Sequence, residues 1–280
     1  MNFKPIHMLT IAITGSTGLI GTRLIELLNK DFQFIEILQQ EVDITDKDSL
    51  WNKIKSIDFD IFFHMAAYTN VDGAEKEKKL VYAINVEGTK NIFDMVLQKN
   101  RKMIYVSTDF VFDGSSPPYY EDSKPNPIGY YAQTKYKGEM MVKDRAMIIR
   151  PSYPYRKSFV PKKDFVRNIK YLLEQKKPLS MMMDALITPT FIDDIAFAMK
   201  YLFQNFTPEI FHIVGANSLS PYDAGKLIAK TFHLDTNLIL PTTYEEYSKG
   251  KAKRSRYSEI KSKKNTFYRM KTFEEGLRQL

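Results

Sequence analysis

The chain has no cysteine. That excludes a disulfide framework and any thiolate metal site, it fits a cytoplasmic protein, and no metal is expected. Long hydrophobic runs are missing as well. Nothing approaches the ~18 consecutive apolar residues of a membrane-spanning helix, so no membrane partner is expected. The opening stretch "MNFKPIHMLTIAIT" lacks a small-residue cleavage site and leads into a glycine turn. It reads as a first strand rather than a signal peptide. Internal repeats and low-complexity tracts are also absent.

What is present is a globular composition. A length of 280 residues suits one large domain, or a main domain with a smaller lobe. Apolar residues make up 44%, enough for an extensive core and too many for a disordered chain. The net charge is +8, and part of the excess sits late, in "KGKAKRSRYSEIKSKK" (Lys249–Lys264). Such a segment can attract phosphates. It is read as a solvated, lysine-rich surface rather than a nucleic-acid site, and a small anionic substrate fits either reading.

Short apolar runs alternate with segments of helical period, which predicts a parallel sheet flanked by helices. Strands are expected at Leu9–Thr14, Phe34–Leu38, Asp60–Ala66, Lys102–Thr108 and Ala146–Arg150. Between them, Leu19–Lys30 places Ile20, Leu24, Leu27 and Leu28 on one helical face. "DKDSLWNKIKSI" has acidic residues in its first turn, Leu80–Gln98 reads as one long helix, and a helix is expected over Tyr131–Val142. After Arg150 the prolines at 151, 154, 161, 178 and 189 break the alternation. Pro189–Gln204 reads as a helix entry, and Ile210–Val214 as a late strand able to join the main sheet. The expected fold is thus a Rossmann-type, doubly wound α/β sheet. Residues 1–150, with a return segment at about 186–216, form the dinucleotide-binding part, and residues 151–280 supply mainly a small substrate-binding lobe.

"TGSTGLIG" lies between the first strand and the first helix, with glycines at 15, 18 and 21. Gly15 can turn the chain tightly, Gly18 lets backbone approach a pyrophosphate, and Gly21 lets the helix pack close to the sheet. The helix N-terminus then faces anionic oxygens. This points to a dinucleotide, NADH or NADPH. An acidic residue at the end of the second strand favours NAD and a basic one NADP. Here the strand runs into neutral "LQQ" (Leu38–Gln40), which leaves the choice open. Asp43 is placed to accept from the adenine amino group, or to serve as a turn residue.

In "GYYAQTK", Lys135 lies one helical turn beyond Tyr131, so the two side chains share a face, while Tyr130 points about 100° away. A nearby ammonium lowers a phenol's pKa from ~10 toward working pH, which makes Tyr131 a usable proton donor. Thr108 ends the fourth strand, at the rim where open α/β sheets bind ligands. Its hydroxyl can hold a carbonyl oxygen, or simply end a strand.

Together these residues resemble the extended short-chain dehydrogenases/reductases, and among them the dTDP-4-dehydrorhamnose reductases and their sugar-nucleotide relatives. The likeness spans nearly the whole chain: "ITGSTGLIG", "DITD", "AAYTNVDGAE", "NVEGT", "STDFVFDG", "YYAQTKYKGE", "IIRPSYPY", "TPTFIDDIA" and "FHIVGANSLS" occur in the family's order. It implies a catalytic Thr108, Tyr131 and Lys135, with Lys135 also on the nicotinamide ribose. It implies Gly15, Thr17, Gly18, Leu19 and Ile20 around the pyrophosphate, and Asp43 and Ile44 near adenine. Ala66, Ala67 and Tyr68 would border the adenosine ribose and pyrophosphate, and Asn85 would be scaffold. Two departures touch the sugar pocket. Tyr153 stands in "RPSY" where the family has "RTSW", and Phe110 replaces a tyrosine.

The implied activity is NAD(P)H-dependent reduction of the 4-keto group of a nucleotide-linked deoxysugar, in cell-surface polysaccharide sugar biosynthesis. Arg156, Lys157, Lys162, Lys163 and the 249–264 segment are candidates for the substrate diphosphate, and a homodimer is an assembly the resemblance allows. Two alternatives remain. One is an NAD-dependent sugar-nucleotide epimerase. The other is a non-catalytic regulatory subunit like methionine adenosyltransferase beta.

Overall fold

The computed structural model describes residues 8–158, 161 and 163–280. The N-terminal residues before 8, and Lys162 among the diphosphate candidates, lie outside them.

The first half of the chain alternates strand and helix. It runs β1 (Thr10–Thr14), α1 (Leu19–Leu28), β2 (Gln33–Ile37), α2 (Lys47–Ile54) and β3 (Ile61–His64). Two short helices follow, α3 (Val71–Ala74) and α4 (Lys78–Tyr82), then a π-helical turn, Ala83–Gly88, leading into α5 (Thr89–Gln98). β4 (Lys102–Val106), α6 (Tyr130–Val142) and β5 (Met147–Arg150) complete this half. The single long helix expected over Leu80–Gln98 is therefore interrupted. The π turn keeps the apolar period but bulges inward, which places the buried Asn85 against the loop after β3.

The second half begins with β6 (Pro154–Tyr155), α7 (Phe165–Glu174), β7 (Leu179–Met182) and β8 (Thr190–Phe191). Then come α8 (Ile192–Gln204), β9 (Ile210–His212), α9 (Pro221–Thr231), β10 (Ile239–Thr242), α10 (Tyr244–Ser248) and α11 (Phe273–Leu277). Side chains cap many of these helices. Asp46 caps α2, Asp164 caps α7, and Thr272 and Glu275 form a reciprocal capping box on α11.

The main sheet has the order β2-β1-β3-β4-β5-β9, and every pairing is parallel. β9 joins from the second half, as the Ile210–Val214 run predicted. The order reverses between β1 and β3, and the crevice beyond the strand ends at such a point is where ligands bind. Strand alternation splits the core in two. Ile11, Ile13, Ile61, Phe63, Ile104, Met147 and Ile149 face α1 and α8. Ala12, Phe62, Met103, Tyr105 and Ile148 face α2 and α5. Each fully buried side chain of this size stabilises by about 1.5–3 kcal/mol. A separate cluster of Val166, Ile169, Leu173, Ile228, Phe273 and Leu277 holds α7, α9 and α11 together beside the sheet.

The late basic run is neither loose nor unpaired. Arg254 pairs with Asp72, Arg256 with Asp184, Lys261 with Glu259, Lys263 with Asp122 and Lys264 with Glu209. The run straps across several elements, and its charge is largely neutralised in place. No helix among the described residues is long and apolar enough to cross a membrane.

Candidate active site

A cavity of about 900 Å³ opens at the carboxyl rim of the sheet. Its floor is the glycine turn. Gly15 adopts φ +74°, and a Cβ there would stand 2.9 Å from the backbone of Met65 and Ala66 at the end of β3. Only glycine fits both the turn and the close approach. A Cβ on Gly21 would collide with the Gly15 carbonyl, so α1 lies directly against the turn.

Two observations fit this end to a dinucleotide. No side chain among the described residues caps the N-terminus of α1, whose first N–H groups are therefore available to an anion. Ser16 Oγ and Ser107 Oγ, on two residues that line the cavity, are buried without a hydrogen-bond partner among the described residues. A buried hydroxyl without a partner is costly unless a ligand completes it.

Thr108, Tyr131 and Lys135 all line the cavity and are nearly fully buried, at 6%, 8% and 2% exposure. Tyr130 does not join them; its hydroxyl donates to the Lys78 carbonyl at 3.2 Å. The Lys135 ammonium sits 4.2 Å from the centroid of the Tyr105 ring, and Tyr105 Oη donates to the Lys135 carbonyl at 3.2 Å.

The charge balance differs from the expectation for this pair. Burial raises the Tyr131 phenol well above its usual range, the Thr108 hydroxyl lowers it in part, and Asp109 raises it further. Burial lowers Lys135 itself to about 7, against a raising influence from Glu139. Desolvation is the largest influence on both groups, which are enclosed by the sheet, the α4–α5 segment and α6.

Thr108 is held from two sides. Its hydroxyl donates to Asp109 Oδ1 at 3.1 Å and accepts from the Phe110 N–H at 3.2 Å. Asp109 also accepts from Ser152 Oγ at 2.7 Å. Burial raises the Asp109 carboxyl to about 6, with Ser152 and Thr108 opposing. Asp109 was missed in the sequence, although it is adjacent to Thr108 in "STDFVFDG".

Behind Lys135 lies a buried neutral imidazole. Thr89 Oγ1 donates to the Asn85 carbonyl, so His64 Nε2 must donate to Thr89 (3.1 Å), and His64 Nδ1 accepts from Thr14 (2.8 Å). Burial lowers His64 to about 3, with the Lys135 charge acting the same way. Asn85 clamps the loop after β3. Its amide exchanges two hydrogen bonds with the Tyr68 backbone and donates to Thr134 on α6.

That clamp bears on the contacts expected after β3. Ala66 and Ala67 line the cavity, but Tyr68 does not. Its backbone is pinned, and its partly buried ring packs against the cluster of Ala74, Val81 and Tyr131. Thr17, Gly18, Leu19, Ile20 and Ile44 line the cavity. Asp43 lines it too and also forms the turn, accepting from the Thr45 N–H and hydroxyl at 2.8 Å each.

At the opposite end stand Phe110 and Tyr153, their ring centroids 6.4 Å apart. Tyr153 takes φ +40°, uncommon for a residue with a side chain, and such strain persists where the surroundings hold it. Tyr247 and Arg254 close this end. They come about a hundred residues after Tyr153, and no local motif marks Tyr247. Of the earlier cationic candidates, Arg156 is tied to Glu26 and Thr22 on α1, and Lys163 lies over the Tyr171 ring. Neither they nor Lys157 line the cavity.

One stability effect follows from the buried lysine. In the cofactor-free protein, the unfolded chain binds the Lys135 proton up to about 10.5, while the folded chain releases it near 7. Stability from this group is therefore present above about 10.5 and lost as pH falls from there through 7. Lys135→Met is expected to raise cofactor-free stability at pH 7 by a few kcal/mol, since each tenfold loss of proton affinity on folding costs about 1.4 kcal/mol. The substitution should also flatten the rise in stability toward alkaline pH. Denaturant midpoints of both proteins across this range check it; parallel pH profiles would count against a buried ammonium.

A parallel sheet with a glycine turn after β1, and a threonine, tyrosine and lysine at its rim, defines an NAD(P)-dependent oxidoreductase of the extended short-chain dehydrogenase/reductase type. Residues 9–280 match the family described as the RmlD substrate binding domain, and the chain belongs to that family. It is similar to the dTDP-4-dehydrorhamnose reductase of Aggregatibacter actinomycetemcomitans, 29% identical over 228 residues, with 77% of this chain and 76% of that protein covered. It is also similar to the spore coat polysaccharide biosynthesis protein SpsK of Bacillus subtilis, 30% identical over 259 residues, with 90% and 88% covered. Among solved structures, the dTDP-4-dehydrorhamnose reductase of Bacillus anthracis in complex with NADP superposes with a TM-score of 0.90. It is 31% identical, and 98% of each chain is covered.

Proposed function

We propose that the protein reduces the 4-keto group of a nucleotide-linked deoxysugar, the activity for which its relatives are named. The observation that carries this reading is one cavity that runs from the glycine turn, past Thr108, Tyr131 and Lys135, to a guanidinium flanked by tyrosines. In this reading residues 1–150 and the return segment hold the dinucleotide, and the later residues hold the sugar nucleotide. A protein acting on these two metabolites works in the cytoplasm.

The reduced nicotinamide, when bound, supplies the hydride that the carbonyl carbon accepts. The chain's residues manage the oxygen and its proton. Burial keeps Tyr131 neutral, so at neutral pH its hydroxyl has a proton to give the oxygen as it becomes an alkoxide. Turned from Asp109, the Thr108 hydroxyl can donate to the phenolate left behind. Thr108 can itself donate to the substrate oxygen only by turning from Asp109 Oδ1, where its proton now points. Lys135 orients the nicotinamide ribose, and solvent returns a proton to Tyr131.

Arg254 meets the substrate diphosphate. Its guanidinium spends one contact on Asp72 at 2.7 Å and one on the Ala252 carbonyl at 3.2 Å, which leaves donors for phosphate oxygens. The test is a panel of nucleotide-linked keto-sugars, followed by loss of reduced-cofactor absorbance. One or more should consume the cofactor stoichiometrically, which an epimerase does not do. Arg254→Ala is expected to raise KM for that sugar about tenfold or more with little change in affinity for the dinucleotide, the loss of a charge-assisted hydrogen bond. Silence across the whole panel would defeat the reading.

A further inference from the structure

The adenosine end of the cavity carries information that the catalytic cluster does not use. β2 ends at Ile37, and Leu38, Gln39, Val42, Asp43, Ile44 and Thr45 then line the cavity. In doubly wound folds the residue here meets the ribose, where a cation is needed to hold a 2′-phosphate. Two cations, Lys135 and Arg254, line the cavity among the described residues. The first stands beside Tyr131 and the second at the Tyr153–Tyr247 end, so neither is at β2.

The charged side chain that does line the adenosine end is Asp43. Its carboxylate is fixed by the Thr45 N–H and hydroxyl, both at 2.8 Å. The lysines of the neighbouring helix do not compensate: Lys47 and Lys53 do not line the cavity, and Lys53 is ion-paired with Glu41 at 2.8 Å. Gln39 is exposed and makes no hydrogen bond to the described residues, so its amide is free to meet a ligand. An amide offers both a donor and an acceptor, which suits ribose hydroxyls. It brings no charge to a phosphate dianion.

We infer that the site selects NADH over NADPH, with Gln39 as the residue that sets the choice. The 2′-hydroxyl form meets a neutral amide. The 2′-phosphate form would be desolvated at a rim whose fixed charge is the Asp43 carboxylate. The inference rests on the dinucleotide-dependent reading above and separates this chain from the Bacillus anthracis relative, which was solved with NADP.

The test uses the full chain without any sugar. NADH and NADPH are titrated separately by calorimetry, at low and at high salt. NADH is expected to bind about tenfold more tightly, the worth of one neutral hydrogen bond made by the ribose hydroxyl and not by a phosphate set beside the Asp43 carboxylate. The gap should narrow at high salt, because repulsion between exposed charges is screened. Gln39→Arg should tighten NADPH about tenfold and loosen NADH, because the guanidinium pairs with the 2′-phosphate and removes the amide acceptor from the ribose hydroxyls. NADPH binding by the unaltered protein as tight as NADH, or tighter, overturns the inference and leaves the reductase reading intact. Failure to bind either dinucleotide overturns both.

Discussion

Tyr131→Phe is expected to lose keto-sugar reduction by roughly 10²–10⁴-fold in kcat, the usual worth of a positioned general acid. Dinucleotide affinity should stay within about twofold, because a hydroxyl contributes little to a contact made mainly by glycine-turn backbone. The fold should tolerate the change. The ring sits with Ala74, Val81 and Phe110, and Phe110 meets it edge-on with centroids 6.0 Å apart, contacts that phenylalanine keeps. The measurement is reduced-cofactor consumption, paired with calorimetric titration of the dinucleotide. Full turnover by the variant would remove Tyr131 from the proton step, whatever the fate of the rest of the site.

Glu139→Gln is expected to destabilise the protein by about 3–5 kcal/mol, the cost of leaving a buried charge without its partner. Arg150 is 1% exposed, the largest of the fully buried side chains, and Glu139 holds it with two hydrogen bonds of 2.9 and 2.6 Å. Arg150 also leans on Phe112 and reaches His212 at 3.4 Å. From there the network continues to Glu121, which accepts from the His212 and Lys263 N–H groups and from Ser262. One ion pair thus ties α6 to β5, β9 and the basic strap. Glu139 stands one turn beyond Lys135 on the same helix and raises that lysine's pKa. Its loss should therefore lower Lys135 further and displace the alkaline side of the activity profile. Glu139→Leu with Arg150→Met should recover most of the stability, because an apolar pair of similar volume avoids the uncompensated charge. Chemical denaturation of the three variants decides the point. If the single substitution proves as stable as the unaltered protein, the pair is not what holds α6 to the sheet.

Much of the sheet was legible from spacing. Ile11, Ile13 and Ala12 alternate in sequence and face opposite layers in space, and so do Ile61, Phe63 and Phe62. Strand ends shifted by a residue or two, and the β1–β3 register runs only from Ile61 to His64, short of the expected Ala66. The π turn within Leu80–Gln98 was not legible. Its apolar residues fit an α-helix equally well, and the extra residue is accommodated because Asn85 finds partners in Tyr68 and Thr134.

The site divides along the same line. The glycine turn and the four-residue step from Tyr131 to Lys135 are local, so chain order determined that these residues share a turn or a helical face. Tyr68 went the other way: it is adjacent to two cavity residues, yet its backbone is clamped by Asn85, 17 positions on, and it does not line the cavity. Arg254 and Tyr247 reached the cavity only because the strap folds back across the sheet. The pKa shifts of Tyr131, Lys135 and Asp109 arise mainly from burial beneath segments remote in sequence. Hydrogen bonding, period and turn geometry act between near neighbours and can be read along the chain. Desolvation depends on everything that packs around a group, and only the folded molecule brings that together.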